Sequence, residues 1–287
     1  MEMEAFRVEL TGYCYRMLGS PFEAEDAVQE TFIRALSAAS PYDEQRASLR
    51  TWLYRIATNI CLDQLRGARR RALATDFAPP TSPGAPLGDP VAAHLWIHPI
   101  ADARALPEDT IVQRESIRLA FVAALQHLPP KQRAVLILRD VLCWHADEVA
   151  HLLDTTVASV TSALQRARST LPAAQGDPRL PDDPAQQDLL ARYCKAFESH
   201  DIETLVTLLH EDATMTMPPF RWWLRGRADI ALAMSAPGAC DGARLTPAEA
   251  NGSPAFWQMR DEKRFALVVL DLRDGLIAGL TTFLNAS

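Results

Sequence analysis

A polar and basic face on a predicted helix over residues 158–171 is the clearest set of side chains that could do chemistry. The apolar stripe of this helix is formed by Val157, Val160, Leu164 and Leu171. On the remaining surface, small hydroxyl groups permit close approach to a DNA groove, and Gln and Arg reach base edges or phosphates. This face comprises Ser159, Thr161, Ser162, Gln165, Arg166 and Arg168. The pattern predicts a DNA-reading helix, with the solvated face of an ordinary helical hairpin as the alternative.

A second set mixes aromatic and cationic side chains on a helix that is predicted to start near Ser48. Aromatic rings and guanidinium groups stack on unpaired bases, and cations hold the phosphate backbone. The set comprises Arg50, Trp52, Tyr54, Arg55 and Asn59. It predicts contact with single-stranded nucleic acid. Because Trp52 also lies on the apolar stripe of its helix, core packing is the alternative for that residue.

Turn and capping residues define the helices that position both sets. Gly19 is predicted to end a first helix, and Ser20-Pro21 to start a second. The side chains that the second helix is expected to bury are Val28, Phe32, Ala35 and Leu36. After Pro129-Pro130, a short helix over 145–153, a polar turn and the helix over 158–171 have the shape of a helix-turn-helix.

Composition divides the 287 residues into three domains and two linkers. Residues 1–71 and 113–171 are predicted to be helical domains. Residues 72–112 and 172–184 are rich in Pro and in small or acidic residues, which is typical of flexible linkers. Residues 185–287 carry two helices followed by short alternating or apolar runs, which predicts an α+β domain.

Charge, cysteine content and hydropathy limit the classes of protein. A net charge of −7 argues against a protein that binds DNA by itself. It is compatible with a subunit of a larger complex whose other subunits supply the contacts to phosphate. The five cysteines form no Cys-x-x-Cys pair, which predicts reduced, mostly buried thiols. Because the sequence shows neither metal-ligand spacing nor a Gly-rich phosphate loop, no metal or cofactor is expected. No apolar run approaches the roughly 18 residues of a membrane span, and the acidic start lacks a signal-peptide layout, so we expect a cytoplasmic protein.

Several long motifs resemble the extracytoplasmic-function (ECF) subfamily of sigma-70 factors. Residues 25–34 are similar to region 2.2, and residues 48–59 with Leu62-Asp63 are similar to regions 2.3 and 2.4. Residues 128–140 and the helix ending at 165–168 resemble region 4. The motifs occur in the order expected for the family. The resemblance implies a non-enzymatic sigma factor that binds core RNA polymerase and recognises the −10 and −35 promoter elements.

The same resemblance implies roles for individual residues. Those that would dock on the clamp helices of the polymerase β′ subunit are Asp26, Gln29, Glu30 and Arg34. Those that would open and read the −10 element are Arg50, Thr51, Trp52, Tyr54, Arg55, Asn59 and Asp63. Single-stranded bases would be captured near the loop before Ser48. The helix over 158–171 would enter the major groove at the −35 element, with region 4 near the polymerase β flap, and the first linker would thread toward the RNA exit path.

Residues 185–287 resemble the SnoaL-like domain that a subgroup of these sigma factors carries. The resemblance implies a curved sheet with helices that close a cone-shaped barrel, with late strands over 265–271 and 276–283. The candidate pocket residues, which could hold a small-molecule ligand, are Met215, Met217, Trp222 and Trp223. In some relatives this domain contacts the sigma domains and modulates activity in cis, and we expect the same here.

Two departures from the family limit what the resemblance implies. Residues 96–102 only loosely resemble the Trp-x-x-Pro motif often found between the sigma domains. Residues 241–244 do not supply the Asp-Gly-Gly-Gly-Lys signature of one related subgroup. The control mechanism of that subgroup is therefore not transferred to this chain.

Three roles of the C-terminal domain stay open: catalysis, ligand sensing and intramolecular packing. Related folds place an Asp or His base in an apolar cone. The candidates for such a base are His200, His210, Asp212 and Asp229. We expect His210 and Asp212 at a helix end, and at most one of the adjacent Trp222 and Trp223 pointing inward, which favours packing. Alternatives for the whole chain are an enzyme fused to a vestigial sigma module and a ligand-responsive repressor that acts without polymerase.

Overall fold

The computed structural model of the protein describes residues 3–37, 47–67, 70–107, 110–171, 183–236 and 243–284. The chain divides into two compact units. One is formed by Met1–Arg71 with Ile97–Ala173, and the other by Ala72–Trp96 with Ala174–Ser287. The first predicted linker, 72–112, is therefore shared between the units. The second predicted linker, 172–184, lies almost entirely outside the described residues.

Helices make up the regular structure in the described part of the first unit. The first three are α1 (Arg7–Leu18), α2 (Pro21–Ser37) and α3 (Leu49–Gln64). A short helix, α4 (Ala74–Phe77), belongs to the second unit. The first unit continues with α5 (Asp102–Ala105), α6 (Ile111–Glu115), α7 (Leu119–Gln126), α8 (Pro130–Leu136), α9 (Ala146–Leu152) and α10 (Val157–Thr170).

Local capping sets the ends of the early helices as expected from the sequence. Gly19 ends α1 in the left-handed region with φ 74°, and its N–H donates to Tyr15 O. The Ser48 hydroxyl accepts the N–H of Thr51 and starts α3. Both boundaries depend on residues within one helical turn, which is why the sequence predicts them.

The predicted helix-turn-helix is present as α9, a turn and α10. Asp154 turns the chain with φ 54°, and the Thr156 hydroxyl caps α10 by accepting the N–H of Ser159. The buried stripe of α10 consists of Val160, Leu164 and Ala167. Val157 was expected in this stripe but is 47% exposed, because it is the first residue of the helix and lies one turn before the packed segment.

The two groups of helices that carry the predicted sigma domains pack against each other within the first unit. Helix α1 contacts α5, α7 and α8, and α3 contacts α8 and α9. Gly12 of α1 permits the approach of α5, since a Cβ there would lie 2.1 Å from the carbonyl oxygen of Ala105. This packing was not expected from the sequence, which places a long linker between the two groups.

The second unit is built on a six-stranded mixed sheet. Its strands are β1 (Leu209–Thr216), β2 (Trp223–Arg225), β3 (Arg244–Ala250), β4 (Ser253–Arg260), β5 (Lys263–Arg273) and β6 (Leu276–Leu284). They lie in the order β2-β1-β6-β5-β4-β3, and the β1–β6 pair is parallel whereas the other pairs are antiparallel. The helices are α11 (Pro184–Glu198), α12 (Ile202–Leu208) and α13 (Arg227–Met234).

The core of the second unit lies between this sheet and its helices. Tyr193 of α11, Leu205 of α12 and Ile230 of α13 join Leu270 and Ile277 of the sheet in one apolar cluster. The α+β architecture and the two late strands predicted from the sequence are confirmed. The described chain thus has two groups of helices, the second with a helix-turn-helix, followed by an α+β domain.

The expectation that His210 and Asp212 lie at a helix end needs correction. Helix α12 ends at Leu208, and both residues lie in strand β1. Pairing of this stretch with β6 extends the backbone, an effect of residues far along the chain that local periodicity cannot reveal.

Candidate nucleic-acid interfaces

The six polar residues predicted to read DNA are all exposed on α10. Burial of the apolar stripe leaves the hydroxyl, amide and guanidinium groups of the helix facing solvent. Arg168 is already engaged by two hydrogen bonds to the carboxylate of Asp140, at 2.6 and 2.8 Å. Within the described residues, no hydrogen bond or ion pair engages the Gln165 amide or the Arg166 guanidinium, so both groups are available to a partner.

The seven residues predicted to read the −10 element separate into exposed and occupied sets. Arg55, Asn59 and Asp63 are exposed on α3, whereas Thr51 and Trp52 are half-buried. The side chain of Trp52 is thus partly packed and partly exposed. The structure places these five on accessible parts of one helix.

Arg50 and Tyr54 are held by contacts within the first unit. The guanidinium of Arg50 lies over the rings of Tyr54 and Trp144, at 5.3 and 5.4 Å from their centroids, and pairs with Glu9 at 3.0 Å. Burial alone would lower the pKa of Arg50, but the hydrogen bond to Glu9 and the neighbouring Tyr54 raise it above its ordinary value. Arg50 therefore stays a cation.

Tyr54 belongs to the core, although the sequence placed it with the DNA-reading residues. Its ring is 0% exposed and packs against Tyr13 and Trp144, with centroids 5.1 and 5.0 Å apart. Burial raises the pKa of the Tyr54 hydroxyl well above its usual range, so it stays protonated. Trp144 is distant in sequence, which is why periodicity on α3 alone missed the contact.

The predicted polymerase-docking residues lie along the outer side of α2. Asp26, Gln29 and Arg34 are exposed, and Glu30 is half-buried and accepts a hydrogen bond from Arg34 at 2.7 Å. Their placement on one accessible helix agrees with an interface. It does not by itself identify the partner.

Three apolar side chains on α2 were missed as interface candidates. Phe22 is 57% exposed, Ile33 53% and Leu36 71%. They share a helical face with Asp26 and Gln29, because positions 22, 26, 29, 33 and 36 fall within an arc of roughly 80°. Apolar spacing on the outer side of the helix was the signal that could have found them.

Leu36 was expected in the core, but its side chain is exposed. It lies roughly 80° around the helix from Val28, near the last turn of α2, so it faces away from the neighbouring helices. We call Phe22, Asp26, Gln29, Ile33 and Leu36 the α2 stripe.

The four candidate pocket residues of the second unit all take part in apolar packing. Met215 and Trp222 belong to the apolar core cluster, and Met217 packs against it. Trp223 packs on a different side, against Ala74 and Trp96 of the first predicted linker. A surface cavity of about 350 Å³, bordered by Glu198, Arg244 and Met259, includes none of the four.

Both adjacent tryptophans are buried, but only Trp222 joins the core of the domain, which agrees with the expectation that at most one of them points inward. Their side chains alternate, so that Trp222 faces the core of the domain and Trp223 faces the linker segment. The indole N–H of Trp222 donates to Ala85 O at 3.1 Å, and that of Trp223 donates to Ala78 O at 2.8 Å. Trp223 is therefore buried by the linker segment and not by the core of the domain.

Further hydrogen bonds fix the same linker segment to the loop before β2. The N–H and hydroxyl of Thr81 both donate to Trp223 O, at 2.8 and 3.0 Å, and the N–H of Val91 donates to Pro219 O at 2.8 Å. The linker ends also meet, since Ala72 and Trp96 form a parallel bridge. Residues 72–96 thus form a closed loop held by the β1–β2 region.

The candidate catalytic groups of the second unit differ in their exposure to solvent. His200 and Asp212 are exposed, whereas His210 and Asp229 are half-buried. The Nδ1 atom of His210 accepts the N–H of Asp212 at 3.1 Å and lies 2.8 Å from Nη2 of Arg273. The imidazole of His210 is thus already engaged by a neighbouring backbone N–H and by Arg273.

The described residues contain neither a metal-binding cluster nor a membrane-spanning helix. No group of three or more His, Cys, Asp or Glu side chains that could hold a metal ion occurs among the described residues. No helix in that part is both long and apolar enough to cross a membrane.

Known proteins share the motifs and the fold of this chain. The family model Sigma-70 region 2 matches residues 3–71, and the model Sigma-70, region 4 matches residues 118–171. The ECF RNA polymerase sigma factor SigG of Mycobacterium tuberculosis (strain ATCC 25618 / H37Rv) is 45% identical over 300 residues, which cover 99% of this chain and 80% of that protein. SigJ of the same strain is 33% identical over 222 residues, which cover 75% of this chain and 63% of that protein.

A solved structure agrees with the fold over nearly the whole chain. The crystal structure of the Mycobacterium tuberculosis extracytoplasmic function sigma factor SigJ matches with a TM-score of 0.65 at 24% identity, covering 99% of this chain and 96% of that one. The likeness concerns the fold. The sequence identity to SigG and the two sigma-70 regions, found in the expected order, carry the assignment: the chain belongs to the ECF RNA polymerase sigma factors.

Proposed function

We propose that this sigma factor docks on core RNA polymerase through α2, reads the −10 element with α3 and the −35 element with α10, and is modulated in cis by its C-terminal domain. The observation that carries the proposal is the surface of α10. Its apolar side chains are buried while all six predicted DNA-reading residues are exposed. A helix-turn-helix with this distribution presents its second helix to the major groove.

The α2 stripe supports docking on the polymerase clamp helices. Exposed Phe22, Ile33 and Leu36 would be a liability on an isolated surface, but they suit a partner that covers them. Asp26 and Gln29 lie between the apolar residues and add polar contacts. Apolar anchors among polar groups are the usual composition of a protein–protein interface.

The hydrogen bonds between the linker segment 72–96 and the β1–β2 region support modulation in cis. In this family the linker would thread into the polymerase. Here the indole N–H groups of Trp222 and Trp223 donate to carbonyl oxygens of the linker, and the carbonyl oxygen of Pro219 accepts a linker N–H. The same backbone groups cannot serve the C-terminal domain and the polymerase at once. Activity would therefore depend on how often the linker leaves the β1–β2 region.

The C-terminal domain would act as a non-enzymatic regulatory module. A small-molecule ligand stays a prediction, and a ligand at Trp222 and Trp223 would have to compete with the linker. We place the protein in the cytoplasm, where the polymerase and promoter DNA are found.

Run-off transcription tests the proposal. Core RNA polymerase is supplied with the full chain, or with a chain ending at residue 171, on a library of promoters. Initiation at one −35/−10 pair is expected, with a yield that differs between the two chains. Circular dichroism confirms that the shorter chain is folded.

Other outcomes would reject parts of the proposal. Equal yields from both chains would remove the regulatory role of the C-terminal domain. No initiation with either folded chain would favour a fused enzyme or a repressor. Binding of the full chain to promoter DNA without polymerase would identify the repressor.

A further inference from the structure

The C-terminal domain binds the linker segment mainly through the backbone of that segment. The carbonyl oxygens of Ala78 and Ala85 accept the indole N–H groups of Trp223 and Trp222, at 2.8 and 3.1 Å. The N–H and the hydroxyl of Thr81 both donate to Trp223 O. Three of these four hydrogen bonds use backbone atoms of the linker, so they depend on its conformation more than on its side chains.

Prolines set that conformation. The side chains of Pro79, Pro80, Pro86 and Pro90 are exposed, and that of Pro83 is half-buried. Proline fixes φ at roughly −65° and restricts the preceding residue to extended conformations, so the segment favours polyproline II before it is bound. Because most of the rings face solvent, the prolines act mainly by shaping the segment.

The contacted positions follow the period of polyproline II. This conformation has about three residues per turn, so positions 78 and 81 lie on the same side. The side chains at both positions are half-buried, whereas those of Pro79 and Pro80 between them are exposed. A turn over 82–85, closed by the N–H of Ala85 donating to Ser82 O at 3.0 Å, follows this piece. An extended proline-rich piece with one side on aromatic groups is the arrangement of polyproline II recognition.

Backbone recognition of this kind does not restrict the site to one sequence. We propose that Pro219, Trp222 and Trp223, which we call the indole site, bind proline-rich segments, and that a proline-rich segment of another protein can replace the linker there. Such a partner would present an Ala-Pro-Pro-Thr-like stretch with free carbonyl oxygens. Control of transcription by this partner rests on the proposed modulation in cis, whereas binding of the segment does not.

Release of the linker creates the need for a substitute. Trp223 is 7% exposed and packs against Ala74 and Trp96 of the linker segment. Departure of the linker would expose this indole and leave its N–H without the carbonyl that accepts it, and uncovered apolar surface is unfavourable in water. A segment of the same chemistry that covers the site would therefore stabilise the form in which the linker is free. The linker competes at high effective concentration, because it belongs to the same chain.

A synthetic peptide with the sequence of residues 77–91 tests the site. The labelled peptide is titrated with the full chain, without polymerase, and binding is followed by fluorescence anisotropy. Thr81→Pro in the chain removes both donors to Trp223 O and keeps the extended conformation, so it weakens the linker and leaves the indole site intact. Circular dichroism confirms that the variant chain is folded.

The peptide is expected to bind the Thr81→Pro chain at least about tenfold more tightly than the wild-type chain, since each lost hydrogen bond of the linker is worth roughly fivefold. The matched control is the same peptide with Thr81→Pro, which is expected to bind the variant chain at least about tenfold more weakly. Equal affinity of the two peptides, or no saturable binding to the folded Thr81→Pro chain, would overturn the proposal.

Two further variants separate shape from contact. A peptide with Pro79→Ala and Pro80→Ala loses only exposed rings, and its greater freedom when unbound is expected to weaken binding roughly fivefold. Unchanged affinity would exclude proline-rich segments as the preferred class. Trp223→Phe, added to the Thr81→Pro chain, removes one indole donor and is expected to weaken binding about fivefold. Unchanged affinity there would locate the bound peptide outside the indole site.

Sedimentation of the wild-type chain tests whether the occupant comes from a second copy. A monomer is expected. A dimer that dissociates when the peptide is added would show that the linker of another copy fills the site, and would overturn the proposal of a separate partner.

The peptide is finally added to run-off transcription. It is expected to shift the yield of the full chain toward that of the chain ending at residue 171, and to leave the shorter chain unchanged. Peptide binding with unchanged yield would support the site and reject the modulation in cis. Different yields from the two chains without any peptide binding would support that modulation and reject the site.

Discussion

At the scale of single residues, neighbouring arginines on α10 differ in what already binds them. Arg168 forms two hydrogen bonds to Asp140, whereas Arg166 projects from the helix without such a partner in the described structure. A guanidinium held by a carboxylate has less to offer a guanine edge than an unengaged one. Reading of the −35 element is therefore expected to depend more on Gln165 and Arg166 than on Arg168.

Replacing Gln165 or Arg166 with Ala should reduce discrimination at particular bases of the −35 element. Loss of a bidentate contact to a base is worth about 1–3 kcal/mol of discrimination. The measurement is the run-off yield over a promoter library in which each −35 position is varied. Arg168→Ala is the matched control. Because Arg168 is already paired with Asp140, and an exposed pair of this kind contributes at most about 1 kcal/mol, the expected loss of discrimination is no larger than that. An equal loss across all sequences would show that Gln165 and Arg166 contact phosphates only.

At the scale of elements, α2 has two apolar sides with different fates. The inner side, which includes Val28, Phe32 and Ala35, is buried in the first unit. The outer side carries the α2 stripe, whose apolar members are more than half exposed. A surface helix that is apolar on both sides indicates a second binding partner for the outer side.

Substitution of Ile33 with Asp should weaken binding to core RNA polymerase and leave the fold intact. Ile33 is 53% exposed, so the change costs little folding stability, but it places a charge in a proposed apolar contact. A loss of at least about 2 kcal/mol, or roughly 30-fold in Kd, is expected for a central anchor. The measurement is a titration of labelled chain with core polymerase. Leu232→Asp, at a leucine 64% exposed on α13, is the control expected to bind as wild type; equal affinity of both variants would contradict docking through the stripe.

At the scale of the whole molecule, the segment 72–96 connects the two groups of sigma helices but folds with the C-terminal domain. Its ends are joined by the bridge between Ala72 and Trp96, and Trp223 holds its middle. Fully extended, 25 residues can span up to about 85 Å. Opening of this loop would therefore provide the chain length that the two groups of sigma helices would need to contact two elements of one promoter.

Replacing Trp223 with Phe should loosen this loop while keeping most of the apolar contact. The change removes the hydrogen bond from Trp223 to the carbonyl oxygen of half-buried Ala78, which costs about 1 kcal/mol or roughly a fivefold increase in the open population. Hydrogen–deuterium exchange over residues 72–96 is expected to accelerate. Run-off yield should shift toward that of the chain ending at residue 171. Trp257→Phe is the control.

If exchange over residues 72–96 stays slow in the Trp223→Phe chain, the remaining hydrogen bonds of the linker suffice to hold it. A loosened linker with wild-type transcription would separate linker binding from regulation. Either result would remove Trp223 from the proposed control in cis.

Much of the fold could be predicted because its signals are local. Gly19 ends α1 and Ser48 starts α3 through hydrogen bonds within one helical turn. The helix-turn-helix followed from a short helix, a polar turn and an amphipathic helix, and the exposed face of α10 followed from burial of Val160 and Leu164. In each case the residues that decide the structure are neighbours in the sequence.

The surroundings of individual side chains were decided by tertiary contacts. Tyr54 is covered by Trp144 and Trp223 by Trp96, whereas Leu36 is 71% exposed. Periodicity predicts which face of a helix or strand is apolar, but not which distant segment covers it. The sequence by itself determined the family, the helices and the exposed polar face of α10. Only the tertiary structure revealed that the linker and part of the surface predicted to read the −10 element are occupied, because these contacts join residues far apart in the chain.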